Sequence, residues 1–217
     1  MFGRRKGRPL RARKAQLMQT LLPQLQIALS GKAALDPKKL FSHRPREIWL
    51  EIGFGGGEHL TAQAAQHPDK GFLGAEPFIN GIAGLLDHID KQKLSNVRIF
   101  PDDARALLDA LPDHSIDRCF ILFPDPWPKK RHAERRFIGP ENLQHLARIL
   151  KPDAELQLAT DDAKLVHWMI EHLDANEDFA PALKPSEKPP TSWIPTRYEQ
   201  KALKSGRKPV YFSYRRV

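Results

Sequence analysis

The chain has 217 residues, 41% hydrophobic and 28% charged, which suits one globular α/β domain with additions and a sizeable core, and excludes a disordered chain. Its 35 Lys and Arg outnumber 26 Asp and Glu, and the formal net charge of +9 favours an acidic partner, nucleic acid or an anionic membrane. No apolar run approaches the ~18 residues of a membrane span, and the basic start "MFGRRKGRPLRARK" lacks the apolar stretch of a signal peptide.

Residues 1–14 hold Arg4, Arg5, Lys6, Arg8, Arg11, Arg13 and Lys14 with no acid among them, and read as a mobile basic arm. Residues 15–30 can form a short helix, interrupted at Pro23. Strand and helix then alternate. "EIWLEIG" (47–53) predicts a buried strand and "GEHLTAQAAQH" a helix; "GFLGAE" (71–76) a strand and "INGIAGLLDHIDKQK" a helix; "NVRIFPDD" (96–103) a strand and "ARALLDAL" a helix. "IDRCFILFPDP" (116–126) is the fourth strand, "GPENLQHLARIL" a helix, "AELQLATDD" (154–162) the fifth strand, and "AKLVHWMIEHLDA" a helix. Residues 181–200, "PALKPSEKPPTSWIPTRYEQ", are rich in proline and polar residues and read as a long loop. The closing "PVYFSYRRV" is β-branched and aromatic, a final strand. The lone cysteine, Cys119 in "RCFILF", can make neither an internal disulfide nor a thiolate metal cluster; a buried, inert thiol in a reducing cytoplasm fits. The alternation predicts a mostly parallel sheet with helices on both faces. Ligands of such sheets bind past the carboxyl ends of the strands, at the topological switch point.

The candidate site residues stand at those ends. "LEIGFGGGEHL" places Gly53, Gly55, Gly56 and Gly57 between the first strand and its helix, where glycine allows tight turning and close approach of a ligand. The spacing is G-x-G-x-G; the dinucleotide pattern G-x-G-x-x-G fails because Glu58 takes its last position. Glu51, two residues before the loop, would repel a pyrophosphate but welcome an ammonium or sulfonium group, and S-adenosylmethionine has both. Glu76 ends the second strand, placed to accept the ribose hydroxyls. Asp103 follows the third, placed to meet the adenine amino group, with Asp102 an adjacent competitor. Helix N-capping is the plain alternative for each acid.

Residues 123–137, "FPDPWPKKRHAERRF", bracket Asp125 between two prolines, follow it with Trp127, and add Lys129, Lys130, Arg131, Arg135 and Arg136. The prolines restrict the backbone around the acid. The cations suit nucleic-acid phosphates, and Trp127 offers a stacking face for a base, core packing being its alternative. These motifs resemble those of the bacterial tRNA (guanine-N7-)-methyltransferases, the TrmB family, along nearly the whole chain: "GRRKGRPL", "LEIGFGGGEHL", "GAEPF", "DDARALL", "FPDPWPKKRHAERRF", "LKP", "LATDD" and "TRYEQKALKSGRKPVYFSYRR". The glycine loop is shared by many methyltransferases; the proline-bracketed acid with its basic run, and "TRYE", are highly specific. Tyr198, where many members carry Phe, and Pro128 after Trp127 are modest departures.

The resemblance implies a Rossmann-like methyltransferase fold with a seven-stranded sheet over residues 41–217, preceded by an arm and short helix over 1–40. It implies S-adenosylmethionine as cofactor, held by Glu51, Gly53, Gly55, Glu76, Asp103 and Asp125, with Asp125 catalytic. It further implies substrate contacts at Lys129, Asp161, Thr196, Arg197, Tyr198 and Glu199, RNA contacts at Arg131, His132, Ala133, Glu134, Arg135 and Arg136, no metal, and methylation of the variable-loop guanine at tRNA position 46 in the cytoplasm. Guanine N7 is a lone pair without a proton, so the reaction needs no base. Asp125 can place negative charge near the new cation, or accept hydrogen bonds from guanine N1–H and the 2-amino group. An amino-methyltransferase acting on adenine or cytosine is the nearest rival, but its Pro-Pro-aromatic turn differs at the first position and lacks the charge run. A non-catalytic RNA-binding protein on the same frame is disfavoured by the intact acids, and a nicotinamide dehydrogenase by Glu51 and Glu58.

Overall fold

The computed structural model describes residues 5–29, 35–191 and 193–217. The chain opens with α1 (Ala12–Thr20) and α2 (Leu22–Leu25). Pro23 does interrupt the helical stretch, but sits in the first turn of α2, where its missing N–H costs no hydrogen bond. After a 3₁₀ turn (Pro37–Leu40), the alternation runs β1 (Ile48–Ile52), α3 (Glu58–Gln66), β2 (Gly71–Ala75), α4 (Ile79–Gln92), β3 (Val97–Phe100) and α5 (Ala104–Ala110). Then come β4 (Ile116–Leu122), a second 3₁₀ turn (Lys130–Arg135), α6 (Pro140–Ile149), β5 (Leu150–Thr160), α7 (Ala163–Asp174), β6 (Phe179–Ser186), α8 (Arg197–Lys204) and β7 (Val210–Arg216).

The seven strands form one sheet in the order β3-β2-β1-β4-β5-β7-β6. Pairings among β1 to β5 are parallel, whereas β7 runs antiparallel to both β5 and β6. From β1 the chain winds outward through β2 and β3, then returns to β4 on the other side of β1. The crevice at that reversal lies beyond the ends of β1 and β4. Successive side chains of β1 divide between the two faces: Ile48, Leu50 and Ile52 pack with Leu107, Leu146 and Leu165, while Trp49 packs with Leu60, Leu85 and Leu86. Burying both faces is why these strands read as near-continuous apolar runs. Cys119 is fully buried, and burial pushes its thiol pKa far up, the inert state expected.

Two expectations are corrected. The loop expected over 181–200 contains most of a strand, β6, and the start of α8. β6 is an edge strand exposed along most of its length, and an edge tolerates Pro181 and Pro185 that an interior strand would not. The basic arm, expected to be mobile, is docked over residues 5–14; residues 1–4, including Arg4, lie outside the described residues. Ile79 N donates to Arg5 O at 2.9 Å, Gly7 N to Asn80 Oδ1 at 2.8 Å, and Asn80 Nδ2 to Arg8 O at 2.7 Å. Arg5 pairs with Asp102, and Arg13 with Asp87 and Asp90. Local charge made the segment look solvated, but α4 and Asp102 supply its partners from far along the chain. Leu22 and Leu25 join the core, and Gln26 forms a parallel bridge to Ile99. Among the described residues no helix is long and apolar enough to cross a membrane.

Candidate active site

The loops after β1 and β4 meet at the switch point and border a cavity of about 350 Å³, a size in the ~300–1,000 Å³ range of ligand pockets. Its floor is the glycine loop. Gly55 holds left-handed backbone, φ +54, a conformation that requires glycine, and a Cβ there would lie 2.7 Å from the ring of the exposed Tyr198. Behind the loop α4 packs backbone to backbone, and a Cβ at Gly81 would lie 2.3 Å from Gly55 O.

Glu76, at the end of β2, lines the cavity from a buried position. Its Oε2 accepts from Gly55 N and its Oε1 from Phe78 N, both at 2.9 Å. Burial raises its pKa above the ordinary glutamate value; the two backbone donors oppose this, and the charges of Asp125 and Glu51 add to the rise. The end of β3 separates the two neighbouring acids. Asp103 lines the cavity, caps α5 by accepting from Arg105 N at 3.1 Å, and binds the Arg105 guanidinium at 3.0 and 3.2 Å. Asp102 lies outside the lining, pairs with Arg5, and accepts from Asp103 N at 2.8 Å.

Asp125 stands exposed on the turn after β4 and lines the same cavity. Phe123 and Trp127, two residues to either side, hold left-handed backbone at φ +53 and +43. Each such residue costs about 1–2 kcal/mol, a strain that persists only where surroundings over-determine it. Here Pro124 and Pro126 fix their own φ, Phe123 N donates to Ala159 O at 2.7 Å, and Arg136 donates to Pro126 O at 3.0 Å and Trp127 O at 3.3 Å. Trp127 is half-buried at the cavity wall, with the Arg135 guanidinium 5.1 Å over its ring, and belongs to neither core cluster. Core packing is therefore not its role.

Several expected residues fall elsewhere. Glu51 shares the sheet face of Trp49, because side chains alternate along β1; its Oε2 lies 2.7 Å from His59 Nδ1, both groups buried, outside the cavity lining. Asp161 also lies outside the lining, paired with Arg207 at 2.6 Å. Thr196 and Glu199 are buried in a capping box at the start of α8, with Glu199 N donating to Thr196 Oγ1 at 3.0 Å and Thr196 N to Glu199 Oε2 at 3.1 Å. The Glu199 carboxylate also accepts from Trp193 Nε1 at 2.7 Å and Tyr211 OH at 2.6 Å. Burial and that negative charge push the Tyr211 hydroxyl pKa well above its ordinary value. Tyr198 reaches the cavity, and Arg197 is exposed, 3.7 Å from Glu58. Lys129, Lys130 and Arg131 stand exposed beside half-buried His132 and Ala133 and exposed Glu134, whereas Arg135 turns inward to line the cavity and Arg136 braces the turn. The sequence reading passes over Arg105 and Phe137 as cavity walls, and over Gly81 and Gly84. Only the glycine pair left a signal, two small residues three apart at the start of a helix.

Residues 45–212 match the family model described as "Putative methyltransferase". Over 221 residues the chain is 48% identical to the tRNA (guanine-N(7)-)-methyltransferase of Rhodospirillum rubrum, covering 99% of this chain and 87% of that protein. Over 219 residues it is 50% identical to the enzyme of the same name from Paramagnetospirillum magneticum, covering 99% and 92%. The chain belongs to the tRNA (guanine-N7-)-methyltransferase family. Solved structures of lower identity share its fold. The 16S rRNA methyltransferase KamB superposes with TM-score 0.62 at 14% identity, over 80% of this chain and 89% of that one. A variant of the 16S rRNA (adenine(1408)-N(1))-methyltransferase from Catenulisporales acidiphilia, with cosubstrate SAM, gives 0.60 at 17%, over 87% and 96%.

S-adenosyl-L-methionine is the methyl donor of this methyltransferase, and the cavity fits it. Gly53, at φ +74 with nothing within 4 Å of a Cβ built on it, leaves open space along the cavity's backbone wall. Glu76, Asp103 and Asp125 present carboxylate acceptors to the cavity, and an acid-rich wall suits a cationic ligand.

Proposed function

We propose that the chain transfers a methyl group from S-adenosyl-L-methionine to N7 of the guanine at position 46, in the variable loop of tRNA, in the cytoplasm, and that residues 41–217 form the catalytic unit with 1–40 as its N-terminal extension. The observation that carries this reading is the strained turn that holds exposed Asp125 against an acid-lined cavity at the switch point, with Trp127 beside it and exposed cations along its edge.

Bound in the cavity, S-adenosyl-L-methionine supplies an electrophilic methyl group. Gly53 and Gly55 let backbone approach it, Glu76 accepts from its ribose and Asp103 from its adenine. Glu51 acts from beneath, its pair with His59 supporting the loop. Guanine N7 carries no proton, so no general base is required, and methylation leaves the purine cationic. Asp125 stabilises that developing charge, and its prolines and left-handed neighbours keep the carboxylate in place before the substrate arrives. Trp127 offers its ring to the base. Lys129, Lys130 and Arg131 meet tRNA phosphates, which position the substrate without reading sequence. Arg197 and Tyr198 face the substrate from α8, Thr196 and Glu199 fasten that segment, and Asp161 orients Arg207 on the same rim.

Asp125→Asn keeps size and some hydrogen bonding but removes the charge. Turnover in a single-turnover assay with unmodified tRNA should fall by about a hundred- to thousandfold, while cofactor and tRNA affinities change little. Near-normal turnover would show that Asp125 only shapes the turn.

A further inference from the structure

Arg136 holds the strained turn that carries Asp125, and Arg136 is itself held. Its Nε donates to Pro126 O at 3.0 Å and its Nη2 to Trp127 O at 3.3 Å. A guanidinium is a planar, rigid fork, so both carbonyls are reached only while its plane keeps one orientation. The group that sets the orientation comes from α7. The guanidinium carbon sits over the Trp168 ring, 4.6 Å from its centre, inside the ~6 Å over which the ring attracts a cation.

Trp168 is fixed without help from Arg136. Its Nε1 donates to Ile138 O at 2.6 Å. One turn further along α7, the His172 ring lies 3.9 Å from the indole, centre to centre, and His172 Nδ1 is 2.8 Å from Trp168 O. The indole also packs against the core cluster that contains Ile138 and Leu165. Core packing accounts for its apolar contacts and its N–H bond. It does not call for a guanidinium drawn partly out of water onto the ring. Trp168 lies outside the cavity lining, so it meets neither methyl donor nor guanine there.

We infer that Trp168 is a positioning residue for methyl transfer: by fixing the plane of the Arg136 guanidinium it fixes the turn over residues 124–127, and with it the Asp125 carboxylate. The inference rests on Asp125 acting on the charge that develops on the purine. Such stabilisation needs a carboxylate already in place, and misplacement by about 1 Å is enough to slow a reaction severely.

The test is a double-mutant cycle on turnover. Single-turnover methylation of unmodified tRNA, at saturating S-adenosylmethionine, is measured for the unaltered protein, Trp168→Leu, Arg136→Ala and the double variant. Trp168→Leu keeps apolar bulk and helix propensity but removes the ring. It should lower turnover by about three- to thirtyfold, the range of a partly desolvated cation–ring contact. Affinities for S-adenosylmethionine and tRNA, titrated separately, should change little. In the Arg136→Ala background Trp168→Leu should have no further effect, because its influence runs through that guanidinium. Trp168→Phe, which keeps a ring face and loses the indole N–H, should retain most of the turnover. An equal loss from Trp168→Leu in both backgrounds would overturn the inference, as would a loss in Trp168→Phe as deep as in Trp168→Leu, since either assigns Trp168 to general packing. An Asp125→Asn protein with near-normal turnover would instead overturn the reading of Asp125 on which the inference rests. Trp168→Met takes the place of Trp168→Leu if the latter loses its cooperative thermal transition.

Discussion

Gly81 carries no functional atom, yet its replacement should disable cofactor binding. Gly81→Ala puts a methyl group 2.3 Å from Gly55 O, where ordinary C···O contacts begin near ~3.3 Å. The nearest atom is backbone, so no side-chain rotation relieves the clash, and α4 and the glycine loop must separate by about 1 Å. Two effects on stability compete. Alanine gains up to ~1 kcal/mol of helix propensity, and overpacking costs ~1–3 kcal/mol. The net should be a loss of about 1 kcal/mol, or a 2–4 °C fall in melting temperature for a chain of this size. The larger effect is on the ligand. The displaced loop carries Gly55 N, which donates to Glu76 Oε2 at 2.9 Å. Losing a hydrogen bond to a charged group costs ~1.5–3 kcal/mol, so affinity for S-adenosylmethionine should fall by about ten- to hundredfold. Scanning calorimetry and isothermal titration measure the two halves. Gly139→Ala is the control, because a Cβ there meets nothing within 4 Å; it should leave affinity unchanged. A Gly81→Ala protein with a raised melting temperature and unaltered affinity would refute the contact between α4 and the loop.

Cofactor affinity should weaken with acid earlier than an ordinary glutamate would allow. Burial raises the Glu76 pKa above 4.5, so its ionised form, the better acceptor for ribose, is lost as pH falls through a window that opens above that value. The same shift makes Glu76 lower fold stability as pH rises through that window, because the folded chain holds the proton longer than the unfolded one. Titrations from neutral pH downward should show the fall in affinity, and Glu76→Gln should remove it; an identical profile in the mutant would reassign it to another group. Neutralising Lys129, Lys130 and Arg131 together should reduce the slope of log affinity against log salt by about 0.7–0.9 for each phosphate that they neutralise in the unaltered protein. Arg136→Ala should leave that slope unchanged but lower turnover, since Arg136 holds the carbonyls of Pro126 and Trp127. Filter binding at stepped salt tests both, and an equal drop in slope for Arg136→Ala would make it a phosphate ligand after all.

Local pattern was enough to establish the strand–helix alternation, the glycine loop and the acids at the ends of β2, β3 and β4. Each depends on neighbours close in sequence: apolar runs bury on both sheet faces, and a loop after a parallel strand can only open at its carboxyl end. The family resemblance was equally local, resting on the proline-bracketed acid and its basic run. Residues whose partners are chosen by packing between elements were not legible. Glu51 could be counted as an acid beside a glycine loop, but only the pleat of β1 against α3 turns it to His59. Thr196 and Glu199 gave no sign that Tyr211, on β7, and Trp193 bring their hydroxyl and indole to the Glu199 carboxylate. The basic arm looked solvated because its partners, Asp87, Asp90 and Asp102, are not its neighbours in sequence. β6 escaped because an edge strand need not be apolar or free of proline. The pattern of the chain thus decides which residue types stand at the ends of the strands. Which of them face the cavity, and which brace one another, is decided by packing, because a carboxylate takes whichever donors the fold brings within about 3 Å.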